Sequence, residues 1–133
     1  MVLGVSGSVI ECICMRLAWL LSALIFALLL AVSEFYALSH FLYWKIRWID
    51  TPMHLLGGVT LGLLLAPLVW ERRVLYVLGV SLLFIAWEVF EFTIDVPQQQ
   101  GSYLIDTAHD LINDALGAGL IYLIARKTVW QSV

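Results

Sequence analysis

The chain has 133 residues, of which 62% are hydrophobic and 13% charged, with a formal net charge of -3. A mean hydropathy of +0.96 excludes the soluble globular class and marks an integral membrane protein. Its few basic residues form no stripe, so nucleic acid is excluded as a partner.

A helix crossing a hydrocarbon core of roughly 30 Å needs about 20 apolar residues. Four stretches meet that need: residues 17–38, 51–70, 74–94 and 104–125. The fold expected is therefore all-α, an integral membrane bundle of four transmembrane helices in a single domain, residues 17–133, preceded by an N-terminal extension, residues 1–16. Met15 offers an alternative start that would make the first fourteen residues incidental.

The first span has some features of a signal peptide, with Ala31-Val32-Ser33 as a small-residue cleavage pattern. Its apolar character continues beyond that point, and Glu11 with Arg16 makes a poor positive flank, so it reads as an uncleaved anchor. Cys12 and Cys14 lie too close in sequence for an ordinary structural disulfide and read as reduced thiols beside the membrane.

Between the spans lie the connectors "WKIRWID", "ERR" and "DVPQQQGSY", the last with Pro97 and Gly101 as helix breakers. Four antiparallel spans put Arg16, Arg72, Arg73, Arg126 and Lys127 on one side, and Lys45 and Arg47 on the other. The positive-inside rule makes the first side, and with it both termini, cytoplasmic. Tyr43, Trp44 and Trp48 are then expected as an outer interfacial belt, and Trp70 and Trp130 as an inner one.

The same topology carries Glu34, Asp50, His54, Glu88, Glu91 and the run from Asp106 to Asp114 to the outer ends of their helices. On the fourth span Asp106, His109, Asp110, Asn113, Asp114 and Gly117 recur at helical spacing and form one face. On the second, His54, Gly58 and Gly62 form an i, i+4, i+8 line whose small residues permit close helix contact. This line is expected to pack on the acidic stripe.

Some of these residues have ordinary explanations. Asp50 and Asp106 suit helix capping, Glu34 and His40 suit contact with lipid headgroups, and Trp87 suits core packing. Asp110 and Asp114 are too far into their helix to cap it, and a central aspartate costs about 2.5–3.5 kcal/mol on insertion scales. With Lys45 and Arg47 as the nearest basic side chains, the crowded carboxylates must share protons or hold a cation.

Asp, Glu and His together suit a divalent ion such as Zn, Mn, Mg or Fe. The metal-ligand candidates are His54, Glu88, Glu91, Asp106, His109 and Asp110, and the catalytic candidates are Glu88, Asp110 and Asp114. A metal there would activate water or polarise a phosphoryl or acyl group. Because the site faces the outer headgroups, the substrate expected is a membrane lipid or a lipid-linked precursor, and the reaction hydrolysis or group transfer. Two other classes compete: a proton- or cation-handling transporter, and a structural or partner-binding membrane subunit held by a carboxylate network.

The elements "DTPMHLLGG", "WEVFE" and "YLIDTAHDLINDALGA" resemble those of the VanZ-like inner-membrane proteins, and more closely the YjdF-like family of small bacterial membrane proteins. Asp110 stands where VanZ-like proteins also carry aspartate, and Asp114 where they usually carry asparagine, which favours the YjdF-like comparison. The resemblance covers residues 50–118, about half of the chain, and implies an all-helical protein of the bacterial inner membrane with a polar cluster. The chain is shorter than typical members, which leaves a homo-oligomer open as the way to complete the bundle.

Overall fold

The computed structural model describes residues 3–69, 72–94 and 101–130. Trp70, Pro97 and Gln98–Gln100 lie outside the described residues. Five helices follow in order: α1 (Leu3–Ser39), α2 (Leu42–Lys45), α3 (Asp50–Val69), α4 (Arg73–Ile94) and α5 (Tyr103–Ala125), and no strand occurs among the described residues. Three helical segments, Val9–Ser39, Asp50–Val69 and Arg73–Ile94, are long and apolar enough to cross a membrane. α5, with 23 residues, has the length, about 35 Å at 1.5 Å per residue. The acidic stripe of its first half sets it apart from the other three.

α1 runs without a break from Leu3 through the rest of the expected extension and through Ala31-Val32-Ser33. Its 37 residues correspond to about 55 Å, well beyond a hydrocarbon core. Phe41, in the left-handed region at φ 56°, turns the chain into α2, and Gly101, at φ +86°, precedes the start of α5 in a conformation that favours glycine.

α3 lies at the centre and packs against α5, α1 and α4. Its buried face includes Asp50, His54, Gly58, Gly62 and Ala66, spaced by four residues throughout. On α5 the buried row is Asp106, Asp110, Asn113, Asp114, Gly117, Ala118, Ile121 and Ala125. Contact between the rows is backbone to backbone: a Cβ at Gly58 would overlap the Asp114 carbonyl, and one at Gly117 would overlap the Leu55 carbonyl oxygen. The glycine line of the second span thus packs on the acidic stripe, as its spacing predicts.

Away from this seam the large apolar side chains point outward. Leu24, Ile25, Leu28 and Val32 on α1, Leu82 and Ile85 on α4, and Ile112, Leu116 and Leu120 on α5 are all exposed. Such continuous apolar surface is incompatible with water and matches a lipid environment.

At the end opposite the acidic residues the core is rich in aromatic side chains. Tyr76 donates to the Ala118 carbonyl at 2.8 Å, and Trp130 donates from Nε1 to the Ala66 carbonyl at 3.2 Å. The Trp130 ring lies 5.6 Å from that of Tyr76 and 5.3 Å from that of Tyr122. Trp130 is therefore a buried core residue and not part of an interfacial belt: its indole N–H finds a partner inside the bundle. Trp44 and Trp48 are exposed as expected of belt residues.

Candidate metal centre

Alternating helix direction brings the end of α1, the start of α3, the end of α4 and the start of α5 to one end of the bundle, and His54 is the hub there. Its Nδ1 lies 3.3 Å from Asp114 Oδ2, within hydrogen-bonding distance. Its Nε2 lies 3.5 Å from Asp50 Oδ1, 3.9 Å from Glu91 Oε2 and 4.0 Å from Asp110 Oδ1. His54, Asp50, Asp110, Asp114 and Glu88 are all buried.

An imidazole that donates its Nδ1 proton to Asp114 keeps a lone pair on Nε2, directed toward Asp50, Asp110 and Glu91. A carboxylate fixing one ring nitrogen while the other faces further ligands is the usual arrangement around a metal-bound histidine. Two groups of three ligand atoms each lie within 4.8 Å of one another: Asp50, His54 and Asp110, and His54, Glu88 and Asp114. Asp50, His54, Asp110 and Asp114 can therefore hold a metal ion.

The polar atoms around this hub are not all satisfied from within the protein. Asp110 Oδ1 is buried and makes no hydrogen bond, the nearest imidazole nitrogens standing at 3.5 Å (His109) and 4.0 Å (His54), while the Thr107 hydroxyl faces the buried Glu88 carboxyl. A buried oxygen left without a hydrogen bond costs about 1–3 kcal/mol, and more when charged. Lys45 is turned away, donating to the His40 carbonyl at 2.9 Å, and Arg47 is exposed.

The expected ligands divide into two sets. His54, Glu88 and Asp110 belong to the ligand groups, and Glu91 stands beside them, held by a 2.8 Å bond from Trp87 Nε1 to its Oε1. Asp106 is buried one turn further out and lies in neither group. It does not occupy the capping position, which belongs to Ser102. His109 also lies outside both groups; its half-exposed ring sits at the rim, with Nδ1 3.5 Å from Asp110 Oδ1 and 3.1 Å from Asn113 Nδ2. The physical reason is helical phase: His109 precedes Asp110 by one residue, about 100° around the axis, so it points past the pocket that Asp110 enters.

Asp50 and Glu34 join the site although their positions suggest simpler roles. Asp50 is the first residue of α3 and its carboxylate turns inward to His54, one helical turn along; that i, i+4 spacing was a readable signal. Glu34 accepts a 2.6 Å bond from the Tyr43 hydroxyl and shares a cavity with His54 and Asp114. Tyr43 is buried and so is no belt residue. Burial, reinforced by Glu34, holds its phenol far above the ordinary range and keeps it a donor. Trp87 is nearly half exposed; it positions Glu91 and walls the cavity instead of filling a core.

Comparison with protein-family models, with curated proteins and with solved structures finds no match.

Proposed function

We propose that the protein is a metal-dependent membrane enzyme that hydrolyses, or transfers a group from, a lipid or lipid-linked substrate. The observation that carries this reading is Asp110 Oδ1, buried without a hydrogen-bond partner in the same ligand group as Asp50 and His54. A divalent cation supplies what that oxygen lacks and neutralises carboxylates that outnumber the two imidazoles beside them, His54 and His109. The donors are hard oxygens and one nitrogen, which suits Zn, Mn, Mg or Fe.

When bound, the metal would supply Lewis acidity toward a phosphoryl or acyl oxygen and lower the pKa of a coordinated water. His54 would bind through Nε2, with Asp50 and Asp110 beside it. Asp114 would orient the imidazole, and Glu88 would stand by to take or give a proton at the reacting group. Transport is the weaker reading because, among the described residues, the buried core beyond Gly62 includes Tyr76, Val80, Ala118, Ala125 and Trp130, in which the Tyr76 hydroxyl and the Trp130 indole N–H are already bonded to backbone carbonyls.

The test is metal analysis of protein purified in mild detergent, followed by lipid turnover in proteoliposomes. Stoichiometric metal and turnover abolished by a chelator are expected. Protein that carries no metal and is indifferent to chelation would leave shared protons as the account of the cluster.

In the membrane, the reading uses four spans with both termini cytoplasmic and the cluster in the outer leaflet of a bacterial inner membrane, consistent with the VanZ-like and YjdF-like resemblance. It rests on five basic residues, Arg16, Arg72, Arg73, Arg126 and Lys127, against Lys45 and Arg47. A reporter fused after Val133 is expected to be active only in its cytoplasmic form. Activity on the outer side would place the cluster in the inner leaflet.

A further inference from the structure

A cavity of about 440 Å³ opens between α1, α3 and α4, and its polar end is the metal centre itself. Its polar side chains are Glu34, His54, Thr60 and Asp114, and the Thr60 hydroxyl is already engaged, donating to the Leu56 carbonyl at 2.7 Å. The available polarity is therefore confined to Glu34, His54 and Asp114. The remaining walls are apolar, with Ala27 and Leu30 from α1, Leu61 from α3, and Leu83 and Phe84 from α4.

These walls extend in one direction. Ala27 lies seven residues before Glu34 on α1, and Leu61 seven after His54 on α3. Both intervals correspond to about 10 Å along the helix. On α4 Leu83 and Phe84 lie on the same inward side of Glu88. The cavity thus runs from the acidic cluster toward the middle of the bundle, the direction in which a lipid's chain runs from its headgroup. Its volume falls within the 300–1,000 Å³ usual for small-ligand sites.

We propose that this cavity holds the hydrocarbon chain of the lipid substrate. The chain enters between α1 and α4 and places the reacting headgroup group beside His54, Glu88 and Asp114. The proposal takes from the reading above that the substrate is a lipid; it adds which groove receives the chain and which residues select it. Ala27, Leu30 and Leu83 are then specificity-determining positions outside both ligand groups.

The experiment uses the full-length protein in mild detergent and a phosphatidylethanolamine carrying a diazirine on one acyl chain. Photolabelling is titrated and the labelled residues mapped, with metal content measured on the same samples. Saturable labelling is expected at residues 27–31 and 83–87, displaced by unlabelled long-chain phosphatidylethanolamine but not by a short-chain analogue with the same headgroup. Ala27→Phe and Leu83→Phe, which fill the cavity from opposite walls, should each weaken labelling by roughly tenfold, the effect of excluding two or so methylenes. Both should retain metal. Leu28→Phe, on the exposed face of α1, should change neither, and His54→Ala should lose metal while keeping the labelled residues.

Labelling that fails to saturate, that spreads evenly to Leu24 and Leu28, or that persists undiminished in both filled variants would overturn the proposal. A wild-type protein that labels as expected but holds no metal keeps the chain site and removes the metal centre. One that holds metal without saturable labelling does the reverse.

Discussion

Replacing His54 with alanine is expected, on the proposed reading, to abolish divalent-ion binding and the activity that depends on it. His54 is the side chain common to both ligand groups, and no neighbour replaces it, because His109 points past the pocket from the rim. Asp110→Asn should come next, since Asp110 shares the first group with His54 and carries the orphaned oxygen. Asp114→Asn, which leaves the Asp50, His54 and Asp110 group in place but removes the carboxylate that fixes the imidazole and belongs to the second group, should weaken metal affinity by about 10–100-fold. Asp106→Asn should have the smallest effect of the four, as Asp106 lies outside both groups. Metal retention across a pH series adds a second readout. Ligation requires the neutral imidazole and ionised carboxylates, so binding weakens as pH falls and those groups take up protons.

The measurement that separates this account from a purely structural network is thermal stability with and without a chelator. If the cluster is a metal centre, chelation lowers the wild type's stability and leaves His54→Ala unchanged, because that variant has nothing to lose. If His54 serves instead as an imidazolium paired with its carboxylates, the substitution still destabilises, by about 3–5 kcal/mol for a broken buried pair. Wild type and variant would then respond equally little to chelation.

The polar face of α5 was legible because its polar residues repeat at 3.6-residue spacing, and α5 buries Asp106, Asp110, Asn113 and Asp114 as that spacing requires. His54 opposite this stripe was legible for the same reason, given glycines four and eight residues later. Glu34 was not, because its place depends on how α1 lies against α3 and on a hydroxyl from the intervening turn; neither leaves a periodic mark. Asp50 was masked by a competing explanation, since an aspartate before Thr51-Pro52 fits a helix start equally well. Trp130 misled for a related reason: an aromatic residue near the end of a span looks the same in sequence whether it faces headgroups or folds back onto Ala66 and Tyr76.

Gly58→Ala and Gly117→Ala are expected to be the most damaging single-methyl additions in the chain. At Gly58 the new Cβ would overlap the carbonyl of Asp114, and at Gly117 it would overlap the Leu55 carbonyl oxygen and stand 2.8 Å from the Val59 nitrogen. These obstacles are backbone atoms, so no side-chain rotation relieves them, and α3 and α5 must separate. Overpacking of this kind costs roughly 1–3 kcal/mol and occasionally more; the upper end is expected here because two helices move together. The separation also pulls Asp110 and Asp114 away from His54, so metal retention should fall along with stability. Two other glycines calibrate the result. A Cβ at Gly57 would meet Asp114 Oδ1 at 3.5 Å, ordinary contact, and one at Gly119 would meet nothing within 4 Å. Gly119→Ala should therefore be neutral or stabilising by up to about 1 kcal/mol from helix propensity, and Gly57→Ala nearly neutral. Detergent unfolding of the four variants side by side would decide the matter. Equal tolerance at all four positions would mean that α3 and α5 do not meet through their glycines, and the proposed metal centre built on that contact would lose its frame.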